Sequence, residues 1–594
     1  MASGPTLVRA NDNRASAGRM RGDTLELNLE VRLARWHPQA DSGPCVDAPV
    51  FAEVGHAPQI PGPLIRVKRG TVIALRLKNS LSDSTLTLYG FVTHPGVDGD
   101  SITLAPGEER SLHFAAGEQG TYLYRAIAGT VDWDKREREQ LAGAFIVDSS
   151  ASAPTDRVFV LNVWGEPADS GTYRNALAIN GKSWPYTERI SASVSDSVRW
   201  RVVNASIRPH PMHLHGFYYR IDAYGTGLRD STYADSARRR VVTQVMNPGE
   251  TMSMVWSPDR DGQWLFHCHI GFHVIPDGAR LVAEGASGSH AHDALSADAG
   301  THMAGLVLGM DVRAPASWKP AARGAATSLR LHVTEGKRRA RAERALGYVL
   351  QQGDAPPAAD SLGHSNPVLV MHVGQPVDIT VLNRLKEPTA VHWHGIELES
   401  YSDGVAGWSG SATHVAPLIA PSDSFVARLT LARPGTFIYH THLGDFDQMT
   451  SGLFGGLIVL PRGPQYDRTT DHIFVAGWDG VEDPPHLMIN GDSLATPATY
   501  AANAAHRLRF VNIGVAAPIK VRLTRDTALV SWRALAKDGD ELPRAQAVSR
   551  PAELSLDVGE TADFEFRPVA GARYVLTIQS FGKQPAYAVR ILAR

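Results

Sequence analysis

The sequence predicts an all-β protein built of four modules, and three observations carry that prediction. Short runs rich in Val, Ile, Leu and Thr recur between turns supplied by 54 glycines and 37 prolines, a pattern of strands and not of long helices. The layout of the first half returns about 300 residues later, which is the mark of an internal repeat. A length of 594 residues accommodates about four domains, each large enough to bury its own core.

Taken in order, Met1 to Gly22 is polar and lacks the apolar stretch of a signal peptide, so a loosely held start is expected. Either the protein is cytosolic or a leader has been removed. Module A spans 24–150. Pro61-Gly62-Pro63-Leu64 opens a strand that leads through Gly70 into Val72–Asn79. Gly120-Thr121-Tyr122-Leu123-Tyr124 begins another strand, and Ala144–Val147 closes the module. Module B spans 151–315. Module A′, 325–463, repeats A: Val373–Asn383 echoes Lys68–Asn79, and Gly435–Tyr439 echoes Gly120–Tyr124. Module B′, 464–594, repeats B: Ile489-Asn490-Gly491 matches Ile179-Asn180-Gly181, and Val511-Asn512 matches Val203-Asn204. The polar stretch 286–302, with His290, His292, Asp293 and Asp298, reads as a flexible linker near the B–A′ boundary. The basic run Lys337–Arg341 lies between Glu335 and Glu343 and reads as a solvated edge.

Composition narrows the function classes. A formal charge of −2 argues against a nucleic-acid or anionic-membrane surface. No apolar run approaches the ~18 residues needed to cross a bilayer. The chain has two cysteines, Cys45 and Cys268. Both are expected to be reduced, with Cys45 a small buried residue.

Aligning the repeats shows where the chemistry lies. A′ has His392-Trp393-His394-Gly395 where A has Thr87-Leu88-Tyr89-Gly90. A′ has His440-Thr441-His442 where A has Arg125-Ala126-Ile127. B has His210-Pro211-Met212-His213-Leu214-His215 where B′ has Ala517–Arg522, and B′ has no counterpart of His267–His273. A and B′ therefore keep the scaffold, while B and A′ carry the potential ligands.

The stretch Trp264-Leu265-Phe266-His267-Cys268-His269-Ile270-Gly271-Phe272-His273 organises the rest. Successive side chains of a strand point to opposite faces. Cys268 therefore faces away from His267 and His269, and one short strand can touch two metal sites. At period 2, each pair His392/His394, His440/His442, His213/His215 and His267/His269 presents both imidazoles to one face. The four pairs give eight imidazoles, enough for three coppers with room for dioxygen; Cu(II) heads the divalent affinity order for imidazole. His210 lies an odd step before His213 and turns to the face of Cys268. His273 reaches that face if the chain turns, which Gly271 permits. His210, Cys268 and His273 then form a His₂Cys set, the ligand set of a blue-copper site. An isolated triplet would read equally well as a core cysteine with hydrogen-bonded histidines. Ten histidines and one cysteine in four spaced clusters do not.

The motifs H-W-H-G, Y-H-T-H, H-P-M-H-L-H-G and H-C-H-I-G-F-H resemble the four copper signatures of the multicopper oxidases, the laccase-like family. The resemblance implies four cupredoxin-like Greek-key β-sandwiches and four copper ions. It makes His210, Cys268 and His273 the type 1 ligands and His392 and His213 the type 2 pair. His394, His440, His442, His215, His267 and His269 become the type 3 ligands. Family members with two domains per chain place the trinuclear cluster between subunits. This chain is similar to two such units fused, with the B–A′ junction kept. The resemblance further implies O₂ as acceptor, a small phenolic or aromatic reducing substrate, and a periplasmic or secreted location; it leaves the oligomeric state open.

The departures are specific. The family's axial position of the type 1 site falls at Gly278, after a loop Val274–Asp277 that runs one residue longer. Met303 is a candidate axial neighbour or a core methionine. Asp403 matches a carboxylate that handles protons near the type 2 copper, though an Asp before Gly also suits a plain turn. A second family acid falls at Gly271. The expected mechanism docks the donor at an exposed edge of His273 or His210 and sends electrons through Cys268 to His267 and His269. Tyr218, Tyr219, Phe272 and Trp264 flank the ligands, as pocket or as core. The rival readings are a metallo-oxidase acting on Cu(I) or Fe(II), which would need carboxylates or methionines by the type 1 site, where Asp277 is nearby but no Met-rich insert occurs among the 11 methionines; a nitrite reductase, which would not need two H-x-H pairs in A′; and a copper-binding protein with little turnover, which would not need type 1 ligands.

Overall fold

The computed structural model describes residues 6–91, 101–129, 137, 140–149, 155–167, 173–282, 302–320, 322–337, 344–358, 362–363, 365–443, 446–480, 486–580 and 586–594. Over these residues the chain is built from β-sheets, with helices of a single turn. Strands within 9–148 form a seven-stranded and a five-stranded sheet. Strands within 157–313 form one seven-stranded sheet and five strands of a second, which Gly410–Ser411 and His414–Val415 complete to seven. Two four-stranded sheets follow within 327–460, and a seven- and a six-stranded sheet within 471–593. Each pair of sheets encloses a hydrophobic core, as stacked sheets with alternating inner faces do.

Alternation in the sequence sets the inner faces. Thr24–Trp36 turns Leu25, Leu27, Leu29 and Val31 inward and its polar residues outward. Ser424–Thr430 alternates in the same way, burying Phe425, Ala427 and Leu429. Phe454–Leu460 is buried along its whole length. Its second face packs against Ile473, Val475 and Val511, which joins the third sandwich to the fourth. Leu64, Ala144 and Ile146 meet Val158, Val160 and Val203 in the same manner, joining the first to the second. Each Val, Leu, Ile or Phe side chain among these contributes about 1.5–3 kcal/mol relative to exposure, so these seams hold the sandwiches in fixed pairs.

Four strands and one helical turn place the histidine clusters: β1 (His210–Leu214), β2 (Gly262–Cys268), β3 (His392–His394), α1 (Ser400–Asp403) and β4 (Gly435–His440). β1 runs antiparallel to β2 with Met212 opposite Cys268 and His213 opposite His267. β3 runs antiparallel to β4 with His392 opposite His440. The second and third sandwiches are stitched across a strand edge. Gln263 of β2 pairs with Gly410, Ser400 Oγ donates to the Gln263 carbonyl at 2.6 Å, and Trp408 Nε1 donates to the Trp264 carbonyl at 3.0 Å. The fourth sandwich closes on the second through Asp538, whose Oδ2 accepts from the Val242 and Thr243 amides at 3.2 and 3.1 Å.

Two expectations need correction. The start of the chain is tied down from residue 6. Arg9–Ala10 pairs with Gln59–Ile60, and buried Asn13 donates to Asn180 Oδ1 at 2.9 Å, so polar composition there reflects a hydrogen-bonded seam and not looseness. Cys45 is a free thiol but only half-buried. Most of the linker reading (286–301), with His290, His292, Asp293 and Asp298, and most of the basic run (338–341) lie outside the described residues. His302 is buried. No helix among the described residues is long and apolar enough to cross a membrane.

Candidate metal centre

The alternation of β2 and the residues after it divides the ligand candidates into two groups. Cys268 Sγ lies 3.7 Å from His210 Nδ1 and 3.4 Å from His273 Nδ1, and the two imidazole nitrogens are 3.2 Å apart. All three residues are buried. His267 and His269 point the other way, into a cluster with His213 and His215 of the second sandwich and His392, His394, His440 and His442 of the third. The ligand atoms fall into groups lying within 4.8 Å of one another: His213/His392/His394, His215/His267/His442, His269/His394/His440 and His210/Cys268/His273.

The donor set fits metal ions on a physical ground. A neutral imidazole has one N–H and one lone pair. His215 Nδ1 donates to Asp403 Oδ2 at 2.8 Å, and His267 Nδ1 donates to the Cys268 carbonyl at 2.8 Å. Both Nε2 atoms are then bare lone pairs, and they face each other at 2.9 Å. Burial pushes His267 down to about 4 and holds His215 well below its ordinary range, so a proton does not fill the gap. A shared cation would. The same arrangement recurs. His213 Nδ1 binds the Val242 carbonyl, His392 Nδ1 the Asp403 carbonyl and His440 Nδ1 the Thr441 carbonyl, at 2.9, 3.0 and 2.6 Å. Their Nε2 atoms are buried with no partner among the described residues, as are both ring nitrogens of His442. Outer nitrogens anchored on carbonyls with inner nitrogens left bare is how metal-binding histidines are oriented.

Asp403 is fully buried at the end of α1, where Gly404 (φ +86°) reverses the chain against the Val391 carbonyl, a place no Cβ could enter. Its Oδ2 also accepts from Ser409 Oγ at 3.0 Å, and its Oδ1 lies 3.2 Å from His392 Nδ1. The carboxylate thus sits behind His215 and His392 and sets their orientation.

Several positioning groups escaped sequence reasoning. Gly559 of the fourth sandwich accepts from His394 Nε2 at 2.8 Å through its carbonyl and lies flat on the His269 ring. Thr243 Oγ1 lies 3.1 Å from His213 Nδ1 and 3.3 Å from His394 Nε2. Ser206 Oγ lies 2.8 Å from His210 Nε2. The ligand-poor fourth sandwich therefore forms one wall of the centre. Only the Asn204–Arg208 turn, a cluster of polar residues before the histidine motif, gave a local signal.

Other expectations are corrected. His273 is reached by a 3-10 turn over Gly271–His273 with no left-handed glycine, and the Gly271 amide donates to the Val515 carbonyl at 2.8 Å. A Cβ at Gly271 would meet Phe446 and Val515 at ordinary contact distance, so apolar groups hold the place of the second acid. Gly278 is closed off by the Phe272 carbonyl, while Met303 is buried in the core that holds Cys268. Trp264, Tyr218 and Tyr219 are buried, and Phe272 is half-buried against the same core. Neither His210 nor His273 has an exposed edge: they are 0% and 1% accessible.

Comparison with known proteins agrees with the geometry. Two family models, each described as multicopper oxidase, match residues 157–286 and, for the second, both 52–152 and 364–464. One model thus matches both copies of the repeat. The chain belongs to the multicopper oxidase family, and copper is the metal that membership implies. Among relatives, copper resistance protein A of Escherichia coli is 35% identical over 130 residues, 21% of this chain and 20% of that one. Laccase-1 of Cryptococcus neoformans is 31% identical over 148 residues, 23% of this chain and 22% of that one. The chain spans about a fifth of the length of these relatives. Among solved structures, the blue copper oxidase of Nitrosomonas europaea covers 49% of this chain and 86% of its own at 19% identity, with a TM-score of 0.37.

Proposed function

We propose that the chain is a laccase-like oxidase that couples four one-electron oxidations of a phenolic or aromatic donor to reduction of O₂ to two waters. The observation that carries this reading is the pair of lone-pair-lined sites joined through one strand. His210, Cys268 and His273 would hold a type 1 copper. His392 and His213 would hold the type 2 copper, and His394, His440, His442, His215, His267 and His269 the type 3 pair. Copper bound there supplies one-electron acceptance at the first site and O₂ reduction at the second. Four donor molecules release four electrons and four protons, which the two product waters take up.

The chain's own groups do the positioning. Cys268 is covalently continuous with His267 and His269, and the His267 Nδ1–H···O=C bond to Cys268 adds a second link across 2.8 Å. Burial raises the Cys268 thiol, so metal binding is needed to hold it as thiolate. Asp403 keeps the His215 proton on Nδ1 and leaves Nε2 bare. Its carboxylate, behind two ligands of the cluster, is the group we assign to proton handling. A periplasmic or secreted location follows from the same reading.

The test is O₂ uptake by the copper-loaded chain with hydroquinone, with Cu(I) and with Fe(II). Turnover with hydroquinone supports the reading. Turnover with the metal ions alone replaces it with a metallo-oxidase, and none with any donor replaces it with a copper-binding role.

A further inference from the structure

The outer nitrogen of His210 makes a bond that the fold itself does not require. That bond sits on a turn present in all four sandwiches. Asn79, Asn204, Asn383 and Asn512 each end a strand, and each Oδ1 accepts the amide two residues on, at 3.0, 3.0, 2.8 and 3.0 Å. Each Nδ2 donates to two carbonyls, so the four side chains hold their loops in the same way. The residue two on is Leu81, Ser206, Leu385 or Gly514. The turn therefore forms without a hydroxyl in the other three sandwiches. Only the sandwich that carries the His₂Cys set has one there, and it is buried.

The bonding fixes the protons. Ser206 Oγ lies 2.8 Å from Asn204 Oδ1 and 3.2 Å from the Arg208 carbonyl, which can only accept, so the hydroxyl proton is committed to them. The two carbonyl partners of Asn204 Nδ2 fix which end of that amide is oxygen. The Arg208 amide donates to Ser206 Oγ at 3.2 Å. His210 Nε2, at 2.8 Å from the same oxygen, is then an N–H donor. Its Nδ1 is left as a bare lone pair facing Cys268 Sγ at 3.7 Å. His273 is held differently: its Nε2 has no hydrogen-bond partner among the described residues. One imidazole of the pair is anchored and the other is not.

We propose that Ser206 is a positioning residue that sets the reduction potential of the His₂Cys site, by keeping the His210 proton on Nε2 and favouring the oxidised metal. The inference rests on copper occupying that site, as in the oxidase reading, and adds what tunes it. A hydrogen bond strengthens as its donor gains positive charge, and charge-assisted bonds are roughly twice as strong as neutral ones. The bond from His210 to Ser206 is therefore stronger when the metal is Cu(II) than when it is Cu(I). Partners behind a ligand imidazole raise its basicity in the same sense.

The experiment compares the copper-loaded full chain with Ser206→Ala, Ser206→Gly and Ser206→Thr. Redox titration of the blue absorption under argon reads the midpoint potential of the His₂Cys site directly. Ser206→Gly copies the residue that the fourth sandwich has at this place, so it keeps the test open if Ser206→Ala does not fold. In either variant the oxidised-to-reduced equilibrium is expected to move toward Cu(I) by about 3- to 10-fold, which at about 59 mV per tenfold for one electron raises the potential by about 30–60 mV. Ser206→Thr keeps the hydroxyl and should restore the wild-type value. An unchanged or lowered potential in Ser206→Ala and Ser206→Gly would overturn the inference. So would a Ser206→Thr protein displaced as far as Ser206→Ala, and so would loss of the blue absorption in both the alanine and glycine variants, which would make Ser206 a structural requirement. A loaded wild-type chain with no blue absorption would overturn the copper reading of the site instead.

Discussion

The wall formed by the fourth sandwich gives the sharpest prediction. Gly559 has φ +77°, and a Cβ there would meet His269 Cδ2 and Cγ at 2.7 Å. Ordinary contact begins near 3.4 Å, so the ring must retreat by about 0.7 Å. The His394 Nε2 bond to the Gly559 carbonyl would move with it. Left-handed backbone costs about 1–2 kcal/mol for a residue with a Cβ, and overpacking a filled site costs about 1–3 kcal/mol, so Gly559→Ala should cost about 2–5 kcal/mol. Gly571 has φ +75° and open space around it. Gly571→Ala therefore carries the backbone cost without the collision. Copper content by mass spectrometry, with visible and EPR spectra, reads the result. We expect Gly559→Ala to keep the blue absorption of the His₂Cys site while losing copper from the eight-histidine cluster, and Gly571→Ala to lose neither. A Gly559→Ala protein with full copper and normal O₂ turnover would refute the claim that this sandwich shapes the centre.

Further outcomes follow from the same geometry. Asp403→Ala removes the partner of His215 Nδ1 and Ser409 Oγ; copper affinity of the histidine cluster should fall by about 10- to 100-fold, measured by competition with a chelator, while the blue absorption persists. Cys268→Ser should abolish that absorption and donor oxidation and keep the trinuclear EPR signature; normal phenol oxidation by the variant would break the proposed electron route. Away from the metals, burial and then His506 hold His472 down to about 4. The unfolded chain takes up that proton below about 6.5 and the folded chain only below about 4, so stability is lost as pH falls through that window. The slope is at most about 1.4 kcal/mol per pH unit, and a denaturant titration series should show it reduced in His472→Gln.

Much of this protein is legible in its sequence, because period 2 carries both the fold and the site. Alternation marks strands such as Thr24–Trp36. The same alternation separates Cys268 from His267 and His269, and this separation is what the structure shows. What stayed hidden depends on residues brought together from far along the chain. Nothing near Gly559 or Thr243 in sequence signals a partner at His394, because a carbonyl or a threonine hydroxyl carries no motif. The pairing of Gln263 with Gly410 was equally silent, since a two-residue strand has no period. The expected exposure of His210 failed for a similar reason: it is fully buried with the Ser206 turn against its Nε2, and sequence spacing does not report what packs over a ligand.

The central claim is that the second and third sandwiches hold four coppers between them, one bound to sulfur and three to imidazole. Anomalous difference maps collected at the copper edge from crystals of the loaded chain test it most directly. The account predicts one peak bounded by His210, Cys268 and His273, and three among His213, His215, His267, His269, His392, His394, His440 and His442. An empty sulfur site, or peaks confined to surface histidines, would contradict it.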